Sequence, residues 1–424
     1  MSVPDSTYVT DLVCLVCGRH TPAGNVQTCP WCGPQGILDV RYDYDRASRT
    51  LTLESLSGRD RDVWLYAELL PVSPRVARPP LHVGWSPIYA APRLAREVGA
   101  KALYLKDEGR NPTGSFKDRA SAVAVMKALE FGAGTVACAS TGNAASSLAG
   151  LSASVGLRSV IFLPERAPAP KVTQLLVFGA TVIKVRGTYE QAFELCREAC
   201  EKFGWYNRNS GTNPFCVEGK KTAGLEIAGQ FGPSVPDWVV VSVGDGCTIG
   251  GIGKGLSEMH GMGFIPRVPR LLGVQAEGAR PLVDAFESGG DVVPARARTV
   301  ADSIAVGTPR NWRRALAQIR DSGGSMVAVP DDEILEAIRI TARLGGVFGE
   351  PAGVAGVAGL RKAIHSGLVR NDESVLVVIT GNGLKDIDTA RRAAGEPISI
   401  DPDISRLEES LTERGIEVSS GELP

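Results

Sequence analysis

Histidine is scarce in this 424-residue sequence: only His20, His82, His260 and His365 occur, widely spaced. That scarcity argues against a histidine-based catalytic triad and against a multi-histidine metal centre. Aromatic residues are few, at 6%. Charge of either sign is not in excess: 46 Lys and Arg face 47 Asp and Glu, a formal net charge of −1. A chain so balanced exerts no general pull on nucleic acid or on an anionic membrane. No apolar run approaches the ~20 residues that a spanning helix needs. The opening residues are polar and lack the basic-then-apolar order of a signal peptide. Nine cysteines are too few for a secreted disulfide scaffold of this length, and their spacing suits reduced thiols in a cytosol. These absences lead to the expectation of a cytoplasmic protein with no nucleic-acid and no membrane partner.

Glycine, by contrast, is abundant: 49 of 424 residues, about 12% against a usual ~7%. Many glycines with few aromatics suit tight turns and close backbone approaches, as an α/β enzyme needs around a phosphate. Four of the cysteines form the first motif. Cys14-Leu-Val-Cys17-Gly18 is followed, after eleven residues from Cys17, by Cys29-Pro-Trp-Cys32-Gly33. Two such knuckles predict a zinc ribbon in which four thiolates close a tetrahedral, structural Zn²⁺ site with no open position. A redox Cys-x-x-Cys pair is the competing reading. The ribbon is acidic, with Arg19 and Arg41 against Asp5, Asp11, Asp39, Asp43 and Asp45, which disfavours a nucleic-acid module. Its loss is expected to spare cofactor binding elsewhere in the chain.

From residue 101 onward, short β-rich runs alternate with amphipathic stretches. Strands are expected at 101–106, 135–139, 159–163, 181–185, 238–243, 270–275 and 374–379. Helices are expected at 115–131, 143–155, 170–178, 189–203, 221–230, 249–259, 312–319, 332–344, 353–365 and 404–414. Such alternation implies parallel sheets covered on both faces. The length calls for two doubly wound α/β domains with a cleft between them. The expected organisation is a ribbon at 1–45, a large domain from 46–117 and 216–395, a small domain at 118–215 and an extension at 396–424.

Four segments carry candidate chemistry. In Asn111-Pro-Thr-Gly-Ser-Phe-Lys117-Asp-Arg119, Ser115 is a good N-cap and Lys117 falls in the first helical turn. The helix dipole there disfavours the ammonium, which suits a lysine needed as a neutral amine; an ordinary surface lysine is the alternative. Ser140-Thr141-Gly142-Asn143 ends a strand and starts a helix, forming either an anion pocket for a carboxylate or a plain helix cap. Gly244-Asp245-Gly246-Cys247-Thr248 repeats the strand, glycine turn and helix, where successive amides can cradle a phosphate. It is neither a Walker A loop nor a good dinucleotide fingerprint. Thr380-Gly381-Asn382-Gly383-Leu384-Lys385 follows the last strand, and Thr380 could offer its hydroxyl to a ring nitrogen.

In this order the four segments resemble the fold-type-II pyridoxal-phosphate enzymes and, within them, the threonine synthase family. The resemblance runs from about residue 71 to 388 and includes Gly84-Trp-Ser-Pro87, Lys171-x-x-Gln174, Asn213-Pro214, Glu218-Gly219 with Lys221-Thr222, and Glu350-Pro-Ala352. It implies pyridoxal 5'-phosphate as cofactor, a small amino-acid substrate and a homodimer. By position, Lys117 would bond the cofactor and then shuttle protons. Asn143 would meet the cofactor's phenolic oxygen, Gly244 through Thr248 its phosphate, and Thr380 its ring nitrogen. Ser140 and Thr141 would hold the substrate carboxylate. The implied reaction expels phosphate from O-phosphohomoserine and adds water to give threonine.

Three departures stand out. Where threonine synthases usually carry a phosphate-gripping Arg in Asn-Pro-x-Arg-x-Glu-Gly-Gln-Lys-Thr, this chain has Cys216, and Lys220 replaces the Gln. A neutral thiol cannot replace that charge, so Lys220 or Arg208 is the expected substitute. Asn382 stands where His is usual, and Asp245 and Cys247 stand where Asn and Gly are common; Asp245 is expected to point away from a phosphate. β-Replacement or β-elimination on a serine-derived substrate, as in cysteate synthases or threonine/serine dehydratases, is the alternative reading.

Overall fold

Thirteen strands form three sheets among the described residues of this computed structural model, 7–165 and 169–416. The first six residues of the expected ribbon and the last eight of the expected extension lie outside them. The strands are β1 (Val9–Cys14), β2 (His20–Pro22), β3 (Leu38–Tyr42), β4 (Ile88–Ala90), β5 (Ala102–Asp107), β6 (Thr135–Ala139) and β7 (Arg158–Pro164). There follow β8 (Thr181–Val185), β9 (Tyr206–Asn207), β10 (Trp238–Ser242), β11 (Arg270–Ala276), β12 (Ser325–Val329) and β13 (Ser374–Ile379).

The largest sheet has the order β12-β11-β10-β13-β5-β4 and is parallel except at its β4 edge. Its central strands are almost wholly apolar because both faces are covered. Val239, Val241, Leu376 and Val378 pack toward the helices Pro214–Phe231, Cys247–Gly261 and Trp312–Asp321. Val240, Val375, Val377 and Ile379 pack toward Asp331–Gly345 and Pro351–His365. The second sheet is fully parallel, β8-β7-β6-β9. Its Val136, Cys138, Ile161 and Leu163 join the helices Lys117–Glu130 and Asn143–Ser154 in one core. Ala137, Ala139, Val160 and Phe162 meet the helix Tyr189–Phe203 on the other face. The antiparallel ribbon, β2-β1-β3, shares the first of these cores through Leu12, Leu38, Val40 and Tyr42. The two-sided α/β architecture is therefore as expected.

The helix expected at 221–230 begins seven residues earlier, at Pro214. Asn213 caps it, accepting from the Phe215 amide at 3.0 Å, and proline occupies its first turn. Every residue from Pro214 to Ala228 is buried, so this helix has no polar face and no amphipathic period to reveal it. β12 and the short helices Pro92–Val98, Pro281–Ser288 and Ile387–Ala394 also escaped the pattern. The helix Ile404–Glu413 forms as expected and buries none of its residues.

Candidate active site

The seat of Lys117 is built by its neighbours in the chain. Ser115 makes an isolated antiparallel bridge with Gly381, and the Phe116 amide donates to the Thr380 carbonyl at 2.9 Å. These contacts tie the loop to the end of β13. On the other side, Asp118 accepts from the Thr113 amide at 2.7 Å and its hydroxyl at 2.5 Å. Arg119 is fully buried between two carboxylates, donating to Glu108 at 2.7 and 2.8 Å and to Glu226 at 2.5 and 2.7 Å. Lys117 is thus the first residue of a helix clamped at both ends of its motif.

Ser115 is not the N-cap expected of it. Phe116 occupies that position without a side-chain cap, because Ser115 is engaged in the bridge to Gly381; its hydroxyl takes only a long, 3.4 Å bond from the Lys117 amide. Lys117 does stand at a helix start, and its weak basicity has a further cause besides the expected helix-end effect. Burial pushes Lys117 down to about 8; the Lys220 and Arg208 cations add to this, and Glu350 opposes them.

Two further helix starts carry candidate site residues. Ser140, Thr141 and Gly142 link β6 to the helix Asn143–Ser154, and no side chain caps that helix. The Asn143 side chain, buried, donates to Glu350 at 2.8 Å. Thr141, Asn143, Ser146, Asp302, Glu350 and Lys385 line one cavity, whereas Lys117 and the glycine turn do not line it. The second start is Gly244–Thr248. Gly246 has φ +91°, and a Cβ there would lie 2.9 Å from the Asn311 carbonyl oxygen; at Gly244 it would lie 3.0 Å from the Ile304 Cα. Only glycine allows this closeness of approach. The helix Cys247–Gly261 likewise starts without a side-chain cap. Asp245 accepts from the Arg310 amide at 2.7 Å and from the Cys247 thiol at 2.9 Å. Burial, then the Asp245 charge, push that thiol up to about 12.

The structure separates the two candidate cations. Arg208 is held by protein groups, donating to Ser121 at 3.1 Å, Ser210 at 3.0 Å and the Lys117 carbonyl at 3.4 Å. Lys220 is 2% exposed and has no hydrogen-bond or ion-pair partner among the described residues. Its charge bears on Lys117, on Cys216 and on Cys247, and its Cβ packs against Gly251 in the helix that follows the glycine turn. Cys216, one helical turn away, is fully buried and donates to the Arg208 carbonyl at 3.3 Å. Thr380 sits directly after β13, beside the Ser115–Phe116 peptide.

Glu350 is the functional neighbour that sequence reasoning left without a role, though its Glu-Pro-Ala motif was visible. In the ribbon, the sulfurs of Cys14, Cys17, Cys29 and Cys32 all lie within 4.8 Å of one another. The Cys17–Cys29 and Cys14–Cys32 separations are 3.7 and 4.0 Å. Four sulfurs ~2.3 Å from a tetrahedral zinc would sit about 3.8 Å apart, so the quartet fits that ion.

The family model of pyridoxal-phosphate dependent enzymes matches residues 80–381. The chain is 41% identical over 404 residues to the threonine synthase of Methanocaldococcus jannaschii, covering 94% of this chain and 99% of that protein. It is 42% identical over 406 residues to the threonine synthase of Methanosarcina acetivorans, covering 94% and 98%. Among solved structures, the processed form of threonine deaminase isoform 2 from Solanum lycopersicum superposes with a TM-score of 0.63 at 24% identity. That match covers 73% of this chain and 87% of the deaminase, a likeness of fold.

Proposed function

Because this chain belongs to the threonine synthase family of pyridoxal-phosphate-dependent enzymes, we infer that it eliminates phosphate from O-phosphohomoserine and adds water to give threonine. The residues present fit the cofactor: a weakly basic lysine beside a glycine cradle that a Cβ would fill at two positions. Bound there, pyridoxal phosphate supplies an electron sink for charge developing on the substrate's carbon chain.

The chain's own groups then divide the work. Lys117 would hold the cofactor and, as an amine, take and return protons; its lowered basicity keeps neutral amine available near neutral pH. The amides of Gly244 through Thr248 would hold the cofactor phosphate. Asn143, oriented by Glu350, would meet the ring oxygen, and Thr380 the ring nitrogen. Ser140 and Thr141, at an uncapped helix start, hold the substrate carboxylate. Lys220 takes the substrate phosphate, while Arg208 braces the Lys117 carbonyl from behind. Residues 118–215 act as the small domain over a cleft at the C-terminal ends of β10 and β13, where the glycine turn and Thr380 lie.

One observation carries a phosphate-bearing substrate over threonine, the buried, unpartnered cation of Lys220, and the threonine synthase relatives favour O-phosphohomoserine over O-phosphoserine. An uncharged leaving group would leave that cation uncompensated. The test is phosphate release with product identification on O-phosphohomoserine, O-phosphoserine and threonine. Threonine from the first substrate alone is expected; faster turnover of either of the others would transfer the reading to β-replacement or β-elimination.

The four ribbon cysteines are read as a structural zinc site. A cytoplasmic location rests on the cysteine spacing and the polar opening residues; a homodimer rests on the family resemblance, and sedimentation would test it. No helix among the described residues is long and apolar enough to cross a membrane.

A further inference from the structure

A group of buried charges lies where the ribbon meets the catalytic helices. Lys254 donates to Asp39 of β3 at 2.8 Å, to the Val40 carbonyl at 2.6 Å and to Glu218 at 2.8 Å. Arg314 pairs with the same Asp39 and donates to the Leu38 carbonyl at 2.8 Å. Tyr42 donates to Glu218 at 2.6 Å, and Lys221 pairs with Glu218 at 2.6 Å and Glu258 at 3.0 Å. Three cations are therefore matched by three carboxylates, one of which the ribbon contributes. The pairs span the helices Pro214–Phe231, Cys247–Gly261 and Trp312–Asp321.

Those helices also wall the glycine turn, and they touch without slack. A Cβ at Gly250 would lie 2.9 Å from the Arg314 side chain, at Gly251 3.0 Å from the Lys220 Cβ, and at Gly253 2.8 Å from Gln318. At Gly246 it would meet the Asn311 carbonyl oxygen and the Ala315 Cβ. In such close packing, a displacement of Arg314 is passed to the helix whose first amides form the turn. Asp39 holds Arg314 from one side and Lys254, on that helix, from the other.

We propose that Asp39 is a positioning residue for the phosphate-binding turn, so that the ribbon forms part of the support of the cofactor site. This departs from the expectation that losing the ribbon spares cofactor binding. It rests on the reading that Gly244 through Thr248 hold the cofactor phosphate.

The experiment uses the full chain, stripped of cofactor and titrated by absorbance with pyridoxal phosphate and with pyridoxal. Pyridoxal keeps the aldehyde that Lys117 attacks but lacks the phosphate. In Asp39→Asn the Kd for pyridoxal phosphate should rise about tenfold or more, within the usual range of coupling between separate sites. The Kd for pyridoxal should hold, and Asp39→Glu should recover most of the loss. Equal weakening of both ligands, or of neither, would overturn the proposal, because a merely structural role has no preference for the phosphate. If Asp39→Asn does not fold, Tyr42→Phe breaks only the hydroxyl bond to Glu218; a smaller loss selective for pyridoxal phosphate is expected, and a non-selective loss or none counts against it. A wild type that binds the two ligands equally well would instead overturn the assignment of the turn itself, and this inference with it.

Discussion

Lys220→Gln should make the protein bind its substrate worse without making the ligand-free fold less stable. In the ligand-free chain the cation is 2% exposed and meets no partner among the described residues, an arrangement that costs free energy. Glutamine removes the charge and keeps a polar side chain, so the urea midpoint should stay level or rise. Binding should move the other way. A hydrogen bond to a charged group contributes about 1.5–3 kcal/mol, which corresponds to roughly ten- to 150-fold in affinity. That loss should fall mainly on the KM for O-phosphohomoserine, since the phosphate is gripped before as well as during the reaction. A third readout concerns Lys117. Burial and then the Lys220 charge hold its pKa near 8, so removing that charge should raise it toward the ordinary lysine value. Capture of pyridoxal phosphate by stripped protein needs the neutral amine, and its pH midpoint should shift upward accordingly. An unchanged KM together with a fall in stability would refute the reasoning, for Lys220 would then be a structural lysine.

Gly246→Ala should weaken cofactor binding in an equilibrium titration, since φ +91° and a 2.9 Å approach to the Asn311 oxygen leave no room for a Cβ; strain of this kind costs about 1–3 kcal/mol. Arg119→Met should lower stability by about 3–5 kcal/mol in urea unfolding, because Glu108 and Glu226 lose their buried partner. Burial alone would raise the Glu226 carboxyl, but Arg119 and Lys106 hold it down to about 2, below its ordinary 4.5. Its contribution to stability should therefore be complete above pH 4.5 and lost as the pH falls toward 2; a urea midpoint flat across that window would contradict the pairing. Protein prepared with zinc present should carry one ion per chain by mass spectrometry and Cys29→Ala none, and a metal-free wild type would remove the zinc reading.

What the chain alone determined is what depends on near neighbours. Spacing of the four cysteines specifies a knuckle pair, because two residues between thiols set one turn of backbone. Alternating apolar strands and amphipathic helices specify covered parallel sheets, since side-chain periodicity records which faces are dry. The order of Lys117, Asn143, Gly244–Thr248 and Thr380 was legible for the same reason: each lies where a strand gives way to a helix or loop. Tertiary structure decided everything that joins distant segments. It showed that Arg208 is already engaged and Lys220 is not, although both are equally cationic on paper. It extended the helix at Pro214–Phe231, whose complete burial erases the amphipathic pattern. It added burial, and the charges of Lys220 and Arg208, to the causes of Lys117's low basicity. And it set Asp39, an ordinary strand residue in an acidic ribbon, between Lys254 and Arg314, more than two hundred residues away along the chain. Charge pairing across such separations depends on which surfaces the folded sheets bring together, and no local period encodes it.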